Sequence, residues 1–215
     1  MTKDNFDGRY AVLLDGDVTG TPRLKKQMAG RSIIAADGGM RHAGAFDAVP
    51  VLWVGDFDST DQDLKQAYVD VPRETHPAAK AASDGELAIA RAIAMGASDI
   101  VVLGASGGNR TDHMLFNLLG LMALAQRVSA RLWASSGREE FYPLVPGQGF
   151  DADFPAGTIF SVVGNNVSGL TIEGARWPLD NASVALGSTL TLSNLVQDRL
   201  SVNLSSGEAL VIVQL

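Results

Sequence analysis

Five short apolar runs in the first 135 residues alternate with amphipathic segments, and that alternation constrains the fold more than any other feature of the chain. AVLLDGD (11–17), SIIAADGG (32–39), VLWVGDFDS (51–59), DIVVLGASGG (99–108) and ARLWASS (130–136) read as buried strands. DQDLKQAYVD, DGELAIARAIAMG and TDHMLFNLLGLMALAQRV lie between the later ones. In the second of these, Leu87, Ala90, Arg91, Ala94 and Met95 recur at helical spacing, and Gly96 supplies a stop. Strands that alternate with helices imply βαβ units and a mostly parallel sheet. After about residue 140 the helical period vanishes. TIFSVVG, GLTIEG, ASVALG, TLTLSN, LSVNLSS and ALVIVQL follow, punctuated by Gly, Asn, Asp and Pro, which is the pattern of an antiparallel β-sandwich or barrel. The expected fold is therefore α/β: an N-terminal, mostly parallel α/β/α sandwich over residues 1–138, followed by a C-terminal antiparallel β-sandwich or barrel over 139–215. The join is expected in EEFYPLVPGQG (139–149), which holds two Pro and two Gly. RETHPAAK reads as loop.

Bulk composition narrows the function classes. With 46% hydrophobic residues a packed core is expected, and the net charge of −7 lacks the basic stripe that nucleic-acid binding needs. The chain has no cysteine, so disulfides and thiolate metal sites are excluded. MTKDNFDGRY has no apolar leader core, and no run approaches 18 apolar residues, so a cytoplasmic protein without a membrane segment is expected.

Ligand sites of parallel sheets lie beyond the carboxyl ends of the strands. The strand exits carry Asp15 and Asp17, Asp37 with Gly38 and Gly39, Asp56 and Asp58, and the run from Gly104 to Asp112. Asp56 and Asp58, one residue apart at the end of a buried strand, repel each other unless a cation offsets them. Hard oxygen ligands of this kind suit Mg²⁺, which is usually held by one or two carboxylates plus water and substrate phosphate. A single Asp such as Asp15 or Asp17 is more often a turn former, and whether these two reach the site stays open. KAASDGE (80–86) adds Lys80, Ser83 and Asp84. Ser83 followed by Glu86 spells a capping box, which leaves Asp84 free for a metal. In GASGGNRTDHMLFN (104–117), Gly107 and Gly108 let backbone N–H groups approach a ligand before a helix N-terminus. Arg110 can clamp phosphate bidentately, and Asp112 can hold Arg110 or a ribose hydroxyl. His113 and Asn117 share a helix face. In the β half, Trp177 is either core or a flat stacking surface, with Ser193 and Asn194 in TLSN.

In order, AADGG, GDFDS, K-x-x-S-D-x-E, G-G-x-R-x-D-H-x-x-x-N, W-P-L and SN resemble thiamine pyrophosphokinase along nearly the whole chain. The family usually shows K-x-x-T-D, where this chain has Ser83, and often G-G-R-x-D-H, where this chain inserts Asn109. The resemblance implies Mg²⁺-dependent transfer of pyrophosphate from ATP to the thiamine hydroxyl, giving thiamine diphosphate and AMP. It implies a homodimer with active sites between the α/β domain of one subunit and the β domain of the other. By carry-over, Asp56, Asp58 and Asp84 hold Mg²⁺, with Asp37 beside them as a further metal-side or hydroxyl group. Lys80, Ser83, Gly107, Gly108, Arg110, Asp112, His113 and Asn117 serve the nucleotide, and Trp177, Ser193 and Asn194 receive thiamine. Asp37 or Asp58 accepts the hydroxyl proton. Two other readings stand beside this one. D-x-D-x-T (Asp56, Asp58, Thr60) also spells the nucleophile loop of haloacid-dehalogenase-like phosphatases, with Asp56 as nucleophile and Asp58 as general acid. A non-catalytic thiamine or nucleotide sensor would use the same pocket without turnover.

Overall fold

A computed structural model describes residues 7–58, 60–77 and 82–215. The chain divides into two compact units, one of Met1–Gly120 with Ser129–Gly137 and one of Leu121–Val128 with Arg138–Leu215.

The first unit holds strands β1 (Arg9–Leu13), β2 (Ser32–Ala36), β3 (Leu52–Gly55), β4 (Arg73–Thr75), β5 (Asp99–Leu103) and β6 (Arg131–Ser135). They form a parallel sheet in the order β4-β3-β2-β1-β5-β6. The central strands are apolar on both faces: Tyr10, Leu13, Ile34, Trp53, Ile100 and Leu103 are fully buried, as expected of a sheet covered by helices on each side. Helices α1 (Pro22–Met28), α2 (Gln62–Ala67), α3 (Asp84–Ala94) and α4 (Thr111–Ala125) make the crossovers, and a 3₁₀ segment, Asp37–Phe46, follows β2. The strand order reverses between β1 and β5, which is where an open α/β sheet parts its loops and opens a crevice.

The predicted strands are present but shorter than their apolar runs, because the acidic and glycine residues at each end belong to the exits. Two elements differ from the reading of the sequence. RET of RETHPAAK is an edge strand, β4, too short and too exposed to show a period. PRLKKQM, unassigned from sequence, is α1, started by Thr21, whose Oγ1 accepts the Leu24 N–H at 3.2 Å, and by Pro22 at its first turn.

The second unit contains β7 (Glu139–Leu144), β8 (Phe150–Ala152), β9 (Ile159–Ala175), β10 (Leu179–Val184), β11 (Asn194–Asn203) and β12 (Ser206–Gln214). EEFYPL is therefore a strand and not a connecting loop. β12 pairs antiparallel with it from Ala209–Leu144 to Gln214–Glu139. TIFSVVG and GLTIEG fuse into the 17-residue β9, which bends at Gly169 (φ 68°) where the backbone crosses Ser205. TLTLSN alternates like a strand but folds as a turn closed by Ser193 at φ 58°. Among the described residues no helix is long and apolar enough to cross a membrane.

Candidate active site

The carboxyl edge of the parallel sheet gathers the acidic strand exits. Asp37 directly follows β2 in the left-handed region, φ 41°, an uncommon conformation for a residue other than glycine. Its carbonyl accepts the Trp53 indole N–H at 2.9 Å. Its side chain turns inward across Gly55, where a Cβ would collide with the Asp37 carboxylate. Asp37 Oδ1 is buried and accepts no hydrogen bond. Burial, and next the neighbouring Asp84 carboxyl, push the Asp37 carboxyl up to about 7. Asp56 adds to the rise and the Phe57 backbone amide opposes it.

Asp56 and Asp58 leave β3 in a tight turn in which the Asp58 N–H donates to Asp56 Oδ1 at 3.0 Å and Phe57 takes φ 61°. The Phe57 ring meets Trp53 edge-on with centroids 5.1 Å apart. Asp84 opens α3. The capping box is complete: Ser83 Oγ accepts the Glu86 N–H at 3.2 Å, while Glu86 Oε2 accepts the Ser83 N–H at 2.8 Å and its hydroxyl at 3.0 Å. Ser83 is thus engaged in capping, and the cap aims Asp84 at Asp37. Lys80 lies outside the described residues.

Two adjoining clefts occupy this edge. The first, about 420 Å³, is lined by Leu14, Asp15, Asp37, Ser83, Asp84 and His113, among others. Of its described lining residues three are carboxylates and none is Lys or Arg. The second, about 350 Å³, opens at the β1–β5 switch point between Asp15–Asp17 and Gly104–Arg110. His113 and Asn117 line both clefts. Gly107 (φ 71°) and Gly108 (φ 80°) have the positive φ that brings loop backbone to the cleft wall, and a Cβ on Gly107 would strike the Asp17 carboxylate. Arg110 is held by Asp112 in a fork, Nε to Oδ1 at 2.9 Å and one terminal N–H to Oδ2 at 2.6 Å. That pairing holds the Asp112 carboxyl well below the usual carboxylate range.

Asp15 and Asp17, left open by the sequence, both reach the clefts. Arg41 and His42 were not foreseen. Arg41 pairs with the Asp15 carboxylate and donates to the carbonyls of Asp15 and Gly16, and His42 Nε2 lies 2.9 Å from the Gly16 carbonyl. The segment GMRHAG carries no pattern that marks them. Only the adjacency of β1 and β2 reveals their role.

In the second unit Trp177 is 54% exposed. Asn194, nearly fully buried, brackets it: its Oδ1 accepts the Trp177 N–H at 3.2 Å and its Nδ2 donates to the Trp177 carbonyl at 2.7 Å. The Arg176 guanidinium lies 5.0 Å from the indole centroid. Ser193 donates its N–H to Ser161 Oγ at 2.9 Å.

The family model described as thiamin pyrophosphokinase, catalytic domain, matches residues 26–133, and the one described as thiamin pyrophosphokinase, vitamin B1 binding domain, matches residues 159–210. Thiamine pyrophosphokinase of Bacillus subtilis (strain 168) is 30% identical over 171 residues, covering 76% of this chain and 78% of that protein. This chain belongs to the thiamine pyrophosphokinase family. Solved structures carry the same fold. The crystal structure of thiamine pyrophosphokinase from Bacillus subtilis superposes with TM-score 0.81 at 20% identity, over 96% of this chain and 98% of that one. The enzyme from Geobacillus thermodenitrificans gives 0.78 at 26% identity, over 96% of each chain. The phosphatase reading of Asp56 and Asp58 gives way to this membership.

The donor set fits a divalent cation. Asp37 Oδ1 is orphaned, and Asp84 and Asp56 both act on it electrostatically. Among the described residues no three Asp, Glu or His side chains converge into a metal cage, so the expected trio Asp56, Asp58 and Asp84 is not assembled by the protein alone. Mg²⁺ rarely asks for such a cage, because it keeps waters and takes substrate phosphate oxygens as ligands.

Proposed function

We propose that this chain transfers pyrophosphate from ATP to the hydroxyl of thiamine, releasing AMP, with Mg²⁺ at the acidic strand exits. The observation that carries the reading is the half-buried Asp37 carboxyl, with one buried oxygen left without a partner, close to Asp84 and Asp56 beside a glycine-lined cleft. Asp56, Asp58 and Asp84, with Asp37, would hold the ion, which supplies charge neutralisation to the transferring phosphates. Asp37 or Asp58 would accept the thiamine hydroxyl proton. Lys80, Arg110 and the Gly107–Gly108 backbone steady the polyphosphate, with Ser83 shaping the approach through the α3 cap. Asp112 keeps Arg110 aimed, and His113 and Asn117 line the nucleotide side. The reaction needs no protein nucleophile, because pyrophosphoryl transfer asks for positioning and charge neutralisation.

The 1–138 region is the catalytic, nucleotide-binding part and the 139–215 region the thiamine-binding part of this proposal. Trp177 offers an aromatic face to the thiamine cation, Asn194 holds its backbone, and Ser193 closes the neighbouring turn. A homodimer with each active site shared between the α/β part of one subunit and the β part of the other, working in the cytoplasm, completes the reading.

The test incubates purified protein with thiamine, ATP and Mg²⁺ and follows AMP and thiamine diphosphate together by chromatography. Matched appearance of both, lost in EDTA and in Asp56→Asn, is expected. ADP in place of AMP, or phosphate without thiamine diphosphate, would overturn it. Thiamine binding without turnover would make the chain a sensor.

A further inference from the structure

The two clefts share Asp15 but differ in charge. The described lining of the first carries Asp15, Asp37 and Asp84 without a cation, whereas that of the second carries Asp15 and Asp17 against Arg41 and Arg110. Two carboxylates at the wall of a cleft meant for phosphate are a liability, since like charge repels the ligand. Arg110, forked on Asp112 through two hydrogen bonds, is one guanidinium at this wall. Arg41 is the other guanidinium at this wall. It is fixed by the 3₁₀ segment that starts at Asp37, and by its bonds to the Asp15 and Gly16 carbonyls. The Gly16 N–H in turn donates to the Gly104 carbonyl at 2.9 Å and the Asp17 N–H to the Ser106 carbonyl at 2.9 Å. The guanidinium is therefore anchored to the switch-point loops through backbone, while its ion pair with Asp15 is solvent-exposed on both sides. Exposed pairs of this kind are weak and exchangeable.

We propose that Arg41 is a nucleotide-binding residue: its guanidinium neutralises Asp15 until a nucleotide binds and then turns to one of its phosphates. Asp15 is then a placeholder for phosphate and competes with it for Arg41. The inference rests on the pyrophosphokinase reading for the identity of the nucleotide. A guanidinium suits this exchange because carboxylate and phosphate present the same paired oxygens to its fork. The two acids of the β1 exit then have different tasks: Asp15 pairs with Arg41, and Asp17 packs on Gly107.

The test measures KM for ATP and for thiamine, kcat, and AMP affinity by titration calorimetry in wild type, Arg41→Gln, Arg41→Lys, Asp15→Asn and the double variant. Arg41→Gln is expected to raise the ATP KM and weaken AMP by about tenfold, with thiamine KM and kcat within about twofold. Arg41→Lys recovers part of the loss. Asp15→Asn, which removes the competitor and keeps Arg41, tightens AMP. The double variant binds AMP better than Arg41→Gln, because the uncompensated carboxylate is gone. Unchanged nucleotide constants in Arg41→Gln, equal losses for ATP and thiamine, or weaker AMP binding in Asp15→Asn would each overturn the proposal. If Arg41→Gln fails to fold, the direction of the Asp15→Asn effect decides. Failure of the pyrophosphokinase reading shows separately, as wild type that releases no AMP.

Discussion

The two units present their chemistry in opposite ways. In the first, the site is electrostatically unfinished: the half-buried Asp37 has one buried, unpartnered oxygen, and burial together with the nearby Asp84 and Asp56 carboxylates raises its pKa. In the second, the exposed Trp177 stands on a backbone whose polar groups are satisfied by a buried Asn194. One region crowds like charges, and the other carries an exposed ring on a backbone whose polar groups are already paired. Substitutions should therefore trade activity against stability with opposite sign in the two units.

The largest effect is expected from Asp84→Asn. It should lower turnover by about a thousandfold or more and yet raise the melting temperature in EDTA, because a like charge facing Asp37 is removed. A lower melting temperature together with the lost activity would erase the contrast. Asn194→Ala should do the reverse in the second unit. It should cost about 1–3 kcal/mol in urea unfolding, since it leaves the Trp177 amide and carbonyl without their partner. Trp177→Ala should leave stability nearly unchanged and raise the thiamine KM by about tenfold, with Trp177→Phe recovering part of it. An equal rise in the ATP KM would detach Trp177 from thiamine. The smallest effect is a tilt with pH. Asp37 binds its proton more tightly folded than unfolded, so its contribution is fully present below about pH 4 and is lost as pH rises through about 7. Melting temperatures in EDTA should fall across that window. They should fall less in Asp37→Asn, and added Mg²⁺ should lift them most at the high end.

What the sequence made legible follows from how local each signal is. GDFDS, S-D-x-E and GGNRTDH are short strings whose residues act within a few positions of one another, so the strand exits and the α3 cap could be read directly. Arg41 and Asp15 lie 26 residues apart and meet only because β1 and β2 are neighbours in the sheet. Strand order is a tertiary property that no periodicity encodes. β4 escaped because three residues on a sheet edge have no buried period to display. TLTLSN misled for the converse reason: it alternates, but Leu190 and Leu192 are both exposed, so the alternation marks no core face. Lys80, expected to steady the polyphosphate, lies outside the described residues.

The length of β9 carries a consequence for engineering. A single 17-residue ribbon pairs with β10, β11 and β12, so no hairpin of the second unit can peel away without fraying the ribbon that the others share. Such a unit is expected to melt as one piece. Trimming the last ten residues would remove β12, which bridges β9 and β7, and would dismantle the whole unit and not merely shorten its end. A purification tag appended after Leu215 leaves the ladder intact, whereas a truncation reaching into β12 does not.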